Sequence, residues 1–495
     1  MPKQTTAPGL ALPLRDAAMP AGAWLASALR GEILDGRLRP GARLPATREL
    51  AREYGLSRGT IVSAFDQLKS EGYVDGNVGS GTYVNRTLPD DLLQAPRATG
   101  RDSFSRPPQP RQLSDFGSRV REFSGLEPRP TRAFRANLPA LDLFPTTLWA
   151  QLEARRCRRA TTSLLLGCGP MGYRPLQEAV ADYLRTSRGV RCRAEQVAIV
   201  SGVQEALDLA TRLFVNPGDR VCMEDPGYAG AAHVFEAVGA KISPIPLDDE
   251  GMQLPAARHS AARLAYVTPG HQFPTGISMS LPRRMALLEW ARRNRAVIFE
   301  DDYDSEYRYA GRPMPALQGL DRHSLVLFAG SFSKVLFPSL RLGYLVVPAD
   351  LVDGIAAVQS ITSRHAPVIA QAVLCDFIAD GHFGRHLRRM REIYAGRSQA
   401  LVESARQQLA GVLEISGVEA GLQTAGWLRA GTDAESVVGA VAARGVEVVS
   451  LRQYRRGRGG REGLHLGFAA VDIPEIRRGV RELALARGGQ PQDRP

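Results

Sequence analysis

Lys334 stands in the stretch Ser331-Phe332-Ser333-Lys334-Val335-Leu336-Phe337-Pro338, and Arg341 follows shortly after. An amine beside an apolar run can be partly desolvated, which lowers its pKa and makes it a usable nucleophile toward an aldehyde. Ser331, Ser333 and Arg341 are residue types that hold a phosphate close to that amine. An aldehyde beside a phosphate describes pyridoxal 5′-phosphate (PLP). The plain alternative is a solvated lysine after a turn.

A second stretch bears on the choice. Residues 296–303 read Ala-Val-Ile-Phe-Glu-Asp-Asp-Tyr, an apolar run that predicts a buried parallel strand with acids at its C-terminal end. Open α/β sheets bind ligands at that end. PLP needs a carboxylate there to keep its ring nitrogen protonated, and Asp301 is the candidate, with Tyr303 donating to the ring's phenolic oxygen. A solvated acidic loop is the other reading. A metal site from Glu300, Asp301, Asp302 and Asp304 is weaker, because no matching ligand cluster appears elsewhere, and no metal is assigned.

The whole chain sets the frame for these residues. Its 495 residues predict more than one domain, since single cores rarely grow past ~250–300 residues. The formal net charge of +12 fits a polyanion partner without requiring one, and residues 1–86 carry only +3 of it. Five widely spaced cysteines without a Cys-x-x-Cys argue for reduced thiols in the cytoplasm. Neither a signal-like N-terminus nor an apolar run of ~18 residues is present, so no secretion and no membrane span is expected.

The N-terminal part reads as a reader of nucleic acid. Residues 23–35 place Trp24, Leu25, Leu29, Ile33 and Leu34 near one face at helical spacing. Thr47 is the expected cap of a short helix from Arg48 to Tyr54, and Ser57 the cap of a helix running to about Glu71. Two helices joined by so short a turn make a helix-turn-helix. Gly72-Tyr73-Val74 and Gly79 to Val84 predict a two-stranded wing. Ser57, Arg58, Gly59 and Thr60 open the second helix, whose free amides and dipole favour phosphate. Such helices present their first residues to base edges in the major groove, and Arg58 suits a bidentate guanine contact. From Thr87 to about Pro130, prolines interleaved with Arg, Asp and Ser predict an extended tether.

The strand ending Asp-Asp-Tyr, then Ser-Phe-Ser-Lys and Arg-Leu-Gly-Tyr, is similar to the fold-type I aminotransferase pattern, and the N-terminal motifs closely resemble the GntR reader head. Together they resemble the MocR, or GabR-like, group of bacterial transcription regulators. The resemblance implies a winged helix-turn-helix at 12–86, a linker at 87–130 and an aminotransferase-like domain at 131–490. That domain would be α/β, mostly parallel, with a large lobe over about 140–364 and a smaller C-terminal α+β lobe over about 365–490. It implies a Schiff base between PLP and Lys334, and a PLP phosphate facing Val203 and Gln204. It also implies a stack of Tyr228 on the ring, DNA contacts by Arg48 and Gly79, and a homodimer on double-stranded operator DNA.

Two positions depart from the aminotransferase pattern. Phe273 stands before Pro274 where the enzymes carry an asparagine that bonds the phenolic oxygen, so His271 or Gln272 is left to cover nearby. His465 stands where an arginine usually clamps the substrate carboxylate. Either Arg452 or Arg455 holds that carboxylate, or the effector is not a simple amino acid. The leading expectation is therefore a PLP-binding regulator sensing PLP or an amino-acid or amine effector. The competing ones are an active aminotransferase carrying a DNA-binding domain, and a regulator that has lost PLP. His382 and His386 share zinc-like spacing but read as a helix-surface pair, and Tyr454 to Arg461 as a flexible strand connection.

Overall fold

The computed structural model describes residues 12–15, 19–77, 81–88, 111–121, 123, 130–256, 261–309, 314–415, 417–457 and 459–487. Gly79 and most of the span 87–130 lie outside the described residues. The chain divides into two units, Met1–Arg111 and Gln112–Pro495.

In the first unit, helices α1 (Ala21–Leu34), α2 (Thr47–Glu53) and α3 (Arg58–Ser70) precede strands β1 (Val74–Asn77) and β2 (Gly81–Val84). The apolar spacing of α1 buries Trp24, Leu25, Leu29 and Ile33 against Leu50, Ile61, Phe65 and Leu68. Leu34, expected on that face, is 47% exposed, because it is the last residue of α1 and turns away from α3. Ser57 caps α3 by accepting from Thr60 N at 3.1 Å. Thr47 does not cap α2. The extended backbone of Ala46 occupies that position, and Thr47 is already helical. Arg30 of α1 forks onto Glu71 just past α3, and β1 pairs antiparallel with β2 as the wing.

The second unit is built on an eight-stranded sheet of order β3-β10-β9-β8-β7-β4-β5-β6. Its strands are β3 (Val197–Val200), β4 (Arg220–Asp225), β5 (Lys241–Asp248), β6 (Gly251–Met252), β7 (Ala262–Val267), β8 (Val297–Asp302), β9 (Val326–Ser331) and β10 (Gly343–Val346). Strands β5, β4, β7, β8 and β9 are parallel neighbours, and β10 runs antiparallel between β9 and β3. The ends of β3, β8 and β9 therefore emerge on one edge of the sheet. The uninterrupted apolar runs of β3 and β9 are buried, as a sheet covered on both faces requires. A smaller antiparallel sheet, of order β11 (Leu413–Ile415), β12 (Gln423–Leu428), β14 (Gly463–Gly467), β13 (Val449–Ser450), forms the second lobe with the long helix His382–Gln408.

Three details were not read from the sequence. Residues Asp115–Val120 are helical, capped by Ser114, and Arg119 donates to Ala237 O at 2.9 Å, so the expected extended tether ends before this point. Phe134 bridges to Gly467, which joins the start of the domain to the small-lobe sheet. His386 is buried, not on a helix surface. Its ring lies edge-on to Phe144 and within 3.3 Å of Val335 O, because this face of the long helix covers the core. Among the described residues no metal-ligating cluster occurs, and no helix is long and apolar enough to cross a membrane.

Candidate PLP site and DNA-reading helix

Three strand ends meet around a cavity of about 240 Å³ lined by Lys334, Asp301, Tyr303, Tyr228, Val203, Gln204, Ser331, Ser333 and Arg341. The structure thus brings together all nine cavity residues expected from the sequence. It adds Asn137, Gly202, Tyr266, Phe273 and Pro338. Asn137 has no sequence signal, since it arrives from the domain's first turn at φ +64°. Tyr266 had one: a lone hydroxyl in the apolar, buried run 264–267 of β7.

The phosphate end is formed by backbone geometry. After β3 the chain turns at Gly202, φ +130°, a conformation that favours glycine, and enters the helix Val203–Phe214. The free amides at that helix start face the cavity with Ser331, Ser333 and Arg341. Ser333 Oγ is buried and has no partner among the described residues. Gln204's side chain is engaged elsewhere: Nε2 donates to Gly230 O at 2.8 Å, and Oε1 accepts from Tyr228 at 3.4 Å. Its side chain therefore orients Tyr228, and its backbone is what remains for phosphate.

At the other end lies Asp301. Tyr266 donates to its Oδ2 at 2.6 Å, whereas Oδ1 is buried without a partner among the described residues. Burial pushes this carboxyl up to about 7, an arrangement that a protonated ring nitrogen would relieve. Lys334 donates to Asn137 O at 2.9 Å, and burial lowers its amine to about 8. The bare Asp301 and Ser333 oxygens, the softened amine and the amide-lined end all fit PLP. Bound there, the group would supply an electron sink. The other three acids of the cluster do different work. Glu300 accepts from Leu317 N and Gln318 N, Asp302 pairs with Arg188, and Asp304 meets His271 and Leu422 N. That division of partners is incompatible with a metal site.

Phe273 closes one wall, edge-on to Tyr228, Tyr303, Tyr454 and His465 at centroid distances of 5.1–6.0 Å. His465 is fully buried behind it and does not line the cavity. Its Nδ1 lies 3.1 Å from Tyr454's hydroxyl. Burial, aided by His271 and Lys334, lowers it to about 3, so it is neutral. Neither alternative clamp reaches the cavity. Arg452 pairs with Glu462, and Arg455 donates to Arg461 O. The described residues of the Tyr454–Arg461 connection are anchored, not loose. The amides of Arg456 and Gly457 donate to Asp225 at 2.8 and 2.9 Å, and Arg456 pairs with Glu236.

In the reader, Ser57, Arg58 and Gly59 are exposed at the start of α3 and Thr60 is half-buried, with Arg48 exposed on α2. Among the described residues, no hydrogen bond or ion pair holds the guanidinium of Arg58 or Arg48 away from solvent.

A cavity of this kind on a mostly parallel sheet, beside a winged reader on one chain, defines a fold-type I PLP-binding domain joined to a DNA-binding head. Residues 134–482 match the aminotransferase class I and II family, and residues 23–84 the bacterial regulatory proteins of the gntR family. The chain is 40% identical to the probable rhizopine catabolism regulatory protein MocR of Rhizobium meliloti, covering 95% of this chain and 94% of that one. It is 31% identical to the pyridoxine biosynthesis regulator PdxR of Corynebacterium glutamicum, covering 93% and 95%. Among solved structures it is similar to LysN, the α-aminoadipate aminotransferase of Thermus thermophilus, complexed with N-(5′-phosphopyridoxyl)-L-leucine, at 29% identity and a TM-score of 0.66, covering 72% of this chain and 92% of that one. The chain belongs to the MocR-type regulators, in which a GntR-family reader is fused to an aminotransferase class I and II domain. It is a PLP-binding transcription regulator.

Proposed function

We propose that this regulator reads operator DNA through Arg58 and answers to PLP itself, or to a small amine, in preference to a simple α-amino acid. One observation carries the effector side of this reading. Arg341, at the phosphate end, is the one guanidinium among the described residues lining the cavity, and His465, which the resemblance sets at the carboxylate-clamp position, is neutral and recessed. Losing a charge-assisted pair to a carboxylate costs ~1.5–3 kcal/mol, roughly ten- to a hundredfold in affinity. The name of PdxR, a pyridoxine biosynthesis regulator, is consistent with PLP as signal. An active aminotransferase is the weaker reading, because Phe273 and His465 remove two groups the enzymes use.

PLP acts on the reader only if its affinity differs between two states of the chain. The test is a titration of apo and PLP-loaded protein with a panel of amino acids and amines while operator affinity is followed. PLP should shift operator affinity, and α-amino acids should act only weakly. A submillimolar response to one amino acid, with no effect of PLP, contradicts the reading.

On the DNA side, Arg58→Ala should cost ~1–3 kcal/mol of sequence discrimination, the worth of one bidentate base contact. Its PLP spectrum should be unchanged. Equal discrimination by the variant in competition binding would remove Arg58 from base readout. Arg48, Ser57, Gly59, Thr60 and Gly79 are proposed to position the reader on the phosphate backbone. We also propose a cytoplasmic homodimer paired through the large domains, which suits repeated half-sites. Leu165 and Leu166, 66% and 83% exposed, support such pairing as apolar surface for a partner copy to cover.

A further inference from the structure

The wall behind Tyr303 holds a buried pair that the cavity itself does not use. Asp304 is fully buried, and both of its oxygens lie 3.0–3.1 Å from His271 Nδ1. Oδ2 also accepts from Leu422 N at 3.2 Å. A buried carboxylate so placed can only accept, so the proton sits on Nδ1. The same nitrogen lies 3.1 Å from Tyr303's hydroxyl, so its single proton is shared between Asp304 and Tyr303 as a bifurcated bond. Gly421, at φ +86°, lets the backbone lie against the ring, since any side chain there would collide with His271 and Asp304.

The hydroxyl of Tyr303 thus faces a donor on its outer side. Gln423 Nε2, buried with no hydrogen-bond partner among the described residues, also acts on this hydroxyl in the sense that favours the phenolate. Burial meanwhile keeps Tyr303 protonated, well above the ordinary phenol range. A protonated hydroxyl that accepts from behind has its own proton left to direct forward, into the cavity it lines.

We propose that His271 and Asp304 are positioning residues: Asp304 fixes the proton on His271 Nδ1, and that N–H fixes Tyr303 as a donor into the cavity, toward the ring oxygen of PLP. This pair takes over the orientation that Phe273 cannot give. The inference rests on the PLP reading of the cavity, but its first test does not.

In apo full-length chain, nitrogen-15 NMR of labelled histidine should find His271 protonated at Nδ1, assigned among the eight histidines by its loss in His271→Gln. A bare Nδ1 with the proton on Nε2 overturns the proposal. The second test follows the pH dependence of the visible band of PLP-loaded protein. The charged or titratable groups facing this cluster are Asp301, Asp304, Glu224, Lys334 and His465. Tyr303→Phe should move the titration midpoint by about one pH unit or more, the tenfold a charge-assisted bond is worth. His271→Gln should move it in the same direction and add nothing in the Tyr303→Phe background. His271→Asn, whose amide N–H takes the place of Nδ1–H, should restore most of the wild-type profile. Additive shifts, or a wild-type profile in His271→Gln, overturn it. Absence of a band in every variant would instead strike the PLP reading, and the nitrogen measurement would still decide the proton's place.

Discussion

Arg188→Met is expected to destabilise the large domain by about 3–5 kcal/mol, the penalty for leaving one member of a buried ion pair alone. Arg188 and Asp302 have side chains only 7% and 2% exposed, and they meet through Nε–Oδ2 at 2.8 Å and Nη2–Oδ1 at 3.2 Å. Burial works against the guanidinium's charge, but Asp302 and Glu306 more than offset it and hold its pKa above the ordinary value. The pair ties the loop after the helix Arg174–Ser187 to the end of β8, next to Asp301. Without Arg188 the carboxylate of Asp302 stays buried with Ser305 as its remaining hydrogen-bond donor. Arg188→Met combined with Asp302→Leu should recover most of the loss, because replacing both charges by apolar groups of similar volume is often neutral. Urea unfolding of the three proteins checks this. A single variant within about 0.5 kcal/mol of wild type, the size of an ordinary surface change, would show that water reaches the pair.

The sequence was most readable where local rules act alone. Ser57's cap and the apolar run of β8 depend on neighbours in the chain, and the reader's core followed from spacing. Lys334, Asp301, Tyr303, Ser331, Ser333 and Arg341 were legible because the chemistry limits which types can serve, a lysine after two serines and an acid at a strand end, whereas Val203, Gln204 and Tyr228 came only with the family resemblance. What stayed hidden depends on partners far along the chain. Asn137 reaches Lys334 across 197 positions, and Phe134 joins the sheet of the other lobe. His386 was misplaced because a histidine on a helix carries no mark of which face the core will cover. Arg452 and Arg455 looked available as clamps, and only the fold reveals that Glu462 and Arg461 already engage them. Phe273 and His465 were flagged one by one as departures; their edge-on contact, 5.2 Å apart, makes them one wall.

The second large effect concerns Lys334. The sequence holds four lysines, Lys3, Lys69, Lys241 and Lys334, so covalent attachment of PLP can be assigned with little ambiguity. Lys69 lies in α3 and donates to Gly76 O, and Lys241 is exposed at the start of β5. Only Lys334, among the described lysines, faces the cavity with Asp301. Its amine, lowered to about 8, has a substantial neutral fraction at pH 8 and much less at pH 6, so cofactor loading should slow as pH falls through that range. Lys334→Ala should lose all cofactor fixation while leaving the reader's affinity for non-specific DNA intact.

The most direct measurement is borohydride reduction of the PLP-loaded full-length chain, followed by digestion and mass mapping of the four lysines. The account predicts the cofactor on the peptide carrying Lys334, and none fixed in Lys334→Ala. Cofactor on Lys3, Lys69 or Lys241 in the wild-type chain, with the Lys334 peptide unmodified, would contradict it.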